Sequence, residues 1–136
     1  MRREGNQDLA EIFATSKFDS GLEAVVLMKA TGILVASWTR SAVPQEVLGV
    51  MAATMWGSLD TMVRTLGGSA PRSVMVEVDD RRIVARKVPP SWMLLLVAPR
   101  SMARSRMSRA TERIVARFPP AQRDAAPRGV TTGTQE

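Results

Sequence analysis

The chain has no cysteine and no histidine. The first absence excludes disulfides, thiolate nucleophiles and thiolate metal sites. The second excludes an imidazole base and histidine-ligated metals. Aromatic residues make up only 4% of the chain, with no tyrosine, so few rigid walls exist to grip a flat cofactor. Neither a GxxxxGK[ST] phosphate loop nor a GxGxxG fingerprint occurs; the pair Gly67-Gly68 runs into Ser69-Ala70-Pro71 and not into a helix start. Serine and threonine are present, but no Ser-x-x-Lys arrangement supplies a base to activate one. The longest purely apolar run, Trp92 to Ala98, is seven residues and too short to cross a bilayer. The start, MRREGNQDLAEIF, does not read as a signal peptide. A cytoplasmic, non-enzymatic protein without cofactor or metal is the expectation.

What is present suits one domain. The 136 residues are 45% apolar, enough for a single core, and nine methionines make that core adaptable. The net charge of +6 is unevenly placed. Residues 1–99 hold 11 basic and 10 acidic groups, whereas residues 100–136 hold eight and three. The excess therefore belongs to the C-terminal segment.

Asp8 and Glu11 mark the start of a short helix, after a flexible lead-in over residues 1–6. Asp19-Ser20-Gly21 ends it. Leu22 to Met28 and Ile33 to Trp38 are aliphatic strands joined through a turn at Gly32. Both arms are apolar at most positions, which predicts a sheet covered on both faces. A long helix follows from Pro44 to about Leu66, closed by Gly67-Gly68. Arg72 to Val78, Arg82 to Val88 and Trp92 to Ala98 read as three further strands, and Ser101 to Phe118 as a last helix. From Pro119 periodicity is lost, and residues 119–136 are expected to form a disordered basic tail. The order α-β-β-α-β-β-β-α predicts an α+β domain over residues 7–118. Its sheet is a single five-stranded antiparallel one with helices on both faces.

Three stretches carry a family resemblance. GLEAVVLMKATGILVAS resembles the opening hairpin of the roadblock domain, the small longin-like fold of dynein light chains and of prokaryotic regulators of Ras-like GTPases. SVMVEVDDRRIVARKV resembles its middle hairpin, and SWMLLLVAP its last strand. The resemblance implies a roadblock/profilin-like fold and a homodimer in which the long helix and the middle strand meet their copies. It implies as partner a small Ras-like GTPase or another roadblock-containing protein.

Three surfaces are candidates for function. On the long helix, Leu48, Met51, Met55, Leu59, Met62 and Leu66 recur at helical spacing and are expected to cover the sheet, with Ala52, Trp56 and Val63 widening that face. Val50 and the Trp56 side exceed what one core needs. With Val74, Val76 and Val78 of the middle strand they form the implied dimer interface. Glu46, Ala53, Gly57, Asp60 and Arg64 lie on the other face and form the implied docking platform for the partner.

The third surface is a stripe of Arg106, Arg109, Arg113 and Arg117 on the last helix. It reads either as a solvated face with ion pairs or as a contact for an acidic surface. Peripheral contact with anionic lipid is left open, and the lack of interleaved aromatics argues against nucleic acid. Glu77, Asp79 and Asp80 read as a solvated turn beside Arg81 and Arg82, not as a catalytic pair. Two alternatives to the adaptor remain: a small-ligand-sensing module of profilin-like fold, and a purely structural subunit of a larger complex.

Overall fold

A computed structural model describes residues 2–40, 44–69, 71–89 and 91–118. The elements follow the expected order: α1 (Arg2–Thr15), β1 (Ala24–Lys29), β2 (Leu34–Thr39), α2 (Gln45–Thr65), β3 (Ser73–Glu77), β4 (Arg81–Val88), β5 (Trp92–Pro99) and α3 (Arg104–Ala116). The stretch read as a disordered tail lies outside the described residues. The first helix begins at Arg2 and so takes in most of the stretch read as a flexible lead-in. Arg2, Arg3, Glu4 and Gln7 are good helix formers, and they outweigh Gly5 and Asn6.

The five strands form one sheet in the order β2-β1-β5-β4-β3, with every neighbouring pair antiparallel. The two most apolar strands, β1 and β5, lie at its interior. Their side chains alternate between two cores, as the expectation of a doubly covered sheet requires. Val25, Leu27, Leu94 and Leu96 meet α1 and α3 through Leu9, Phe13, Met107 and Phe118. Val26, Met28, Met93 and Leu95 meet α2 through Ala52 and Trp56. The rings of Phe13 and Phe118 stack at 6.4 Å and join the first helix to the end of the last.

The rotation of α2 differs from expectation. Gly49, Ala52 and Trp56 are buried, while Met51, Met62 and Leu66 are 61%, 59% and 84% exposed. Leu48, Met55 and Leu59 are only half-buried. The helix is turned by about one residue, roughly 100°, from the position its largest apolar stripe predicts. The reason is close packing. Gly32 has φ +97°, and its carbonyl oxygen lies 2.7 Å from where a Cβ on Gly49 would stand. Only a face of small residues lets the helix settle onto the β1–β2 turn, and Trp56 then fills the space farther along.

Candidate interaction surfaces

The outer side of α2 is rich in apolar groups and nearly free of charge. Val47, Val50, Met51, Met62 and Leu66 are all exposed there. Thr54, Thr61 and Thr65 add less polarity than their names suggest. Each donates its hydroxyl to a carbonyl one turn back in its own helix, to Val50 at 2.9 Å, Gly57 at 3.0 Å and Thr61 at 2.8 Å. Their hydroxyl hydrogens are thus committed within the helix. Monomeric proteins scatter single apolar residues over their surfaces, but rarely line one helix with them.

The two faces expected on α2 fare differently. Val50 is exposed and available. Trp56 is 7% exposed and packs into its own core, so it is not free to meet a partner. Lys87 lies over the Trp56 ring at 5.4 Å. Of the platform residues, Glu46, Gly57 and Arg64 are exposed, whereas Ala53 and Asp60 are half-buried. Asp60 accepts a hydrogen bond from Arg64 at 3.0 Å, one turn along the helix.

β3 is an edge strand that pairs with β4 alone. Val74 and Val76 are half-buried, and Val74 packs toward α2. Val78 lies one residue beyond the strand and is exposed. Its N–H donates to the Arg81 carbonyl at 2.9 Å, which makes it part of the turn and not of the edge. Asp79 and Asp80 are exposed in the same turn, and Asp80 lies 3.6 Å from Arg81. Among the described residues no group of three or more carboxylates could hold a metal ion.

The arginine stripe of α3 is divided by its contacts. Arg106 grips Asp19 through Nε at 2.8 Å and Nη2 at 2.5 Å, a fork that ties α3 to the α1–β1 connection. Arg104 grips Glu77 at the end of β3 through Nε at 2.8 Å. Arg86 of β4 is buried and donates to both oxygens of Glu112 at 3.0 Å. Arg109, Arg113 and Arg117 remain exposed, with no ion pair among the described residues.

These forks hold three carboxyls below their ordinary ranges. Asp19 is lowered by the hydrogen bond from Arg106 and then by the Gly21 N–H. Glu77 is lowered by the hydrogen bond from Arg104, and Glu112 by that from Arg86. A folded-state pKa below the unfolded one stabilises the fold above the unfolded value, and that gain is lost as pH falls through the folded value. The melting temperature is therefore expected to hold near neutrality and to fall progressively below the ordinary values of 4.5 for Glu and 3.8 for Asp. Glu112→Gln should flatten part of that decline. Thermal melts at stepped pH check it; a melting temperature unchanged down to about pH 3 would reject the role of the three forks.

Residues 9–98 match the Roadblock/LC7 domain family. The chain belongs to that family. A comparison with curated proteins finds no match. Among solved structures, Myxococcus xanthus MglB superposes with a TM-score of 0.75 at 13% identity, over 85% of this chain and 88% of that one. A structure described as MglB with tetrameric arrangement gives 0.71 at 12% identity, over 88% of both chains. A Roadblock/LC7 domain from Streptomyces avermitilis gives 0.63 at 13% identity, over 82% of this chain and 91% of that one. At these identities the likeness is one of fold, and it agrees with the sheet order and three-helix arrangement of a roadblock domain described above.

Apart from Val50, the apolar outer side of α2 is the feature that reading the sequence missed, since Met51, Met62 and Leu66 were expected to face the sheet. Its signal was present in the small residues Gly49, Ala52 and Ala53. They mark a face built for close approach, and such a face displaces the longer side chains to the flank and the outside.

Proposed function

We propose that this roadblock domain is a non-enzymatic, cytoplasmic homodimeric adaptor. It binds a small Ras-like GTPase or another roadblock-containing protein and modulates the GTPase cycle of its partner. The observation that carries the reading is the row of exposed apolar residues on α2, in a domain whose β3 edge is also unpaired. A second copy that covered both would bury the apolar row and complete the hydrogen bonding of the edge. The flank with Glu46, Gly57 and Arg64 stays polar and is suited to a partner whose switch loops it biases without donating chemistry.

The sensing alternative has less support. The groove between β2 and the start of α2, lined by Leu34, Pro44, Gln45, Glu46 and Val47, holds about 240 Å³, and a concavity along α3 at Ser108, Arg109, Glu112, Arg113 and Ala116 holds about 460 Å³; both are wide open to solvent. Ligand pockets are commonly enclosed and run from about 300 to 1,000 Å³.

The test is capture of purified Ras-like GTPases from the same organism, loaded with GDP or a GTP analogue. Asp60→Arg with Arg64→Asp keeps that helix pair balanced but reverses the charge pattern shown to the partner. We expect capture by the parent in one nucleotide state and a roughly tenfold weaker capture by the reversal. Equal capture by both chains would reject this platform, and no capture in either state would reject the GTPase as partner.

A further inference from the structure

Nearly all of the net charge of this protein sits on one short segment. Residues 100–118 hold six arginines, no lysine and a single acid, Glu112; the other residues hold 13 basic and 12 acidic groups. Internal contacts then consume part of this charge. Arg104 and Arg106 are held by Glu77 and Asp19; Glu112, still 60% exposed beside Arg109 and Arg113, has both its oxygens bonded to Arg86. Arg109, Arg113 and Arg117 stay exposed on one flank of the helix. The charge of Arg113 reaches Asp19 only at longer range.

Helix stability explains this arrangement only in part: the dipole favours Arg113 and Arg117 at the C-terminal end of α3, but it fades before Arg109. Arg109 and Arg113 stand one turn apart, as do Arg113 and Arg117, and like charges at that spacing oppose a helix. The first turn of α3 carries no acid, and its N-cap residue, Ala103, makes no side-chain cap. The helix dipole and the distant charge of Asp19 offset part of this repulsion, but no ion pair among the described residues holds any of the three guanidinium groups. A local conflict of this kind points to an external ligand.

We propose that this flank of α3 docks an acidic segment of another protein through Arg109, Arg113 and Arg117. The helix places the three guanidinium groups about 6 Å apart in steps along its axis. Alternate carboxylates of an extended acidic segment lie about 6.6–6.8 Å apart, and those one turn apart on a helix about 6 Å. The fold already uses the same chemistry three times, in the arginine forks on Asp19, Glu77 and Glu112. A membrane fits less well, because α3 exposes no large apolar side chain to enter lipid. A nucleic-acid strand also fits less well, because Phe13 and Phe118 are buried and the flank offers no ring for stacking.

The experiment uses the full chain and a fluorescent peptide with glutamate at alternate positions, followed by anisotropy. The matching glutamine peptide is the control. The variant is Arg109→Gln with Arg113→Gln and Arg117→Gln. We expect the parent to bind the glutamate peptide at about 50 mM salt and to lose much of that affinity at about 300 mM. The variant should bind roughly tenfold more weakly or worse. Its melting temperature should stay within a few degrees of the parent's, since the relief of repulsion offsets the lost dipole and Asp19 attraction, and its sedimentation should be unchanged. The interface proposed on α2 is thereby tested apart from this one.

Equal affinity of parent and variant would overturn the proposal, as would no preference for glutamate over glutamine. Phosphatidylglycerol vesicles binding the parent when the peptide does not would assign the flank to lipid. Single-stranded DNA bound more tightly than the peptide would assign it to nucleic acid. Either result overturns the protein-segment reading.

Discussion

A chain carrying Met51→Glu and Met62→Glu is expected to sediment as a monomer of 14.8 kDa, and the parent at micromolar concentration is expected to sediment near twice that mass. Both methionines stand mostly clear of their own subunit, at 61% and 59% exposure. Substitution at such positions changes the stability of a fold by no more than about 0.5 kcal/mol, so circular dichroism and the melt should be nearly those of the parent. The cost falls on association. Covering a large apolar side chain gains about 1.5–3 kcal/mol, and a two-fold axis counts each change twice. Placing four carboxylates at the same contact adds desolvation and repulsion. A loss of even about 3 kcal/mol weakens dimerisation more than a hundredfold. A parent that sediments at 14.8 kDa across the micromolar range would sink the dimer. A double variant that remains dimeric would take the interface off the outer side of α2. Val76→Lys on the β3 edge would then be the next variant to examine.

Gly49→Ala should cost the fold about 1–3 kcal/mol, although alanine is the better helix former by about 1 kcal/mol at an unconstrained site. The added Cβ would stand 2.7 Å from the carbonyl oxygen of Gly32, closer than real Cβ contacts come. The obstacle is backbone, and it cannot swing aside as a side-chain tip would. Gly32 is itself held at φ +97° and by the bond from its N–H to the Lys29 carbonyl at 2.8 Å. Either α2 lifts from the sheet, loosening Trp56 and Ala52, or the hairpin turn deforms. A domain of this size loses roughly 4–8 °C of melting temperature per kcal/mol. Gly57→Ala is the matched control: a Cβ there meets nothing within 4 Å, so the same change should be neutral or stabilising. Equal effects at the two glycines would remove the helix–turn contact as the reason for the rotation of α2.

Most of the fold was legible in the sequence because its signals are local. The two apolar arms around Gly32, the alternating strands from Arg72 onward and the glycines after Leu66 each mark an element by its own spacing and turn chemistry. The continuous apolar character of Val25 to Met28 and of Met93 to Val97 also told that the sheet is covered twice, since side chains on both faces of these two strands must be buried. The absence of histidine and cysteine removes imidazole and thiolate chemistry by composition alone, whatever the fold.

What the sequence could not decide was which way each amphipathic element turns and which charges find one another. Hydrophobic spacing on α2 favoured the Leu48–Leu66 stripe, but the contact of Gly49 with Gly32 brings together residues from separate elements, and steric fit outranked side-chain size. The arginine stripe of α3 was visible as a stripe. That Asp19 and Glu77 would take Arg106 and Arg104 out of circulation depended on where the α1–β1 connection and the end of β3 come to lie. Periodicity along one helix therefore fixes which residues share a side. Only packing against the rest of the chain decides which side faces inward and which charges are left for a partner.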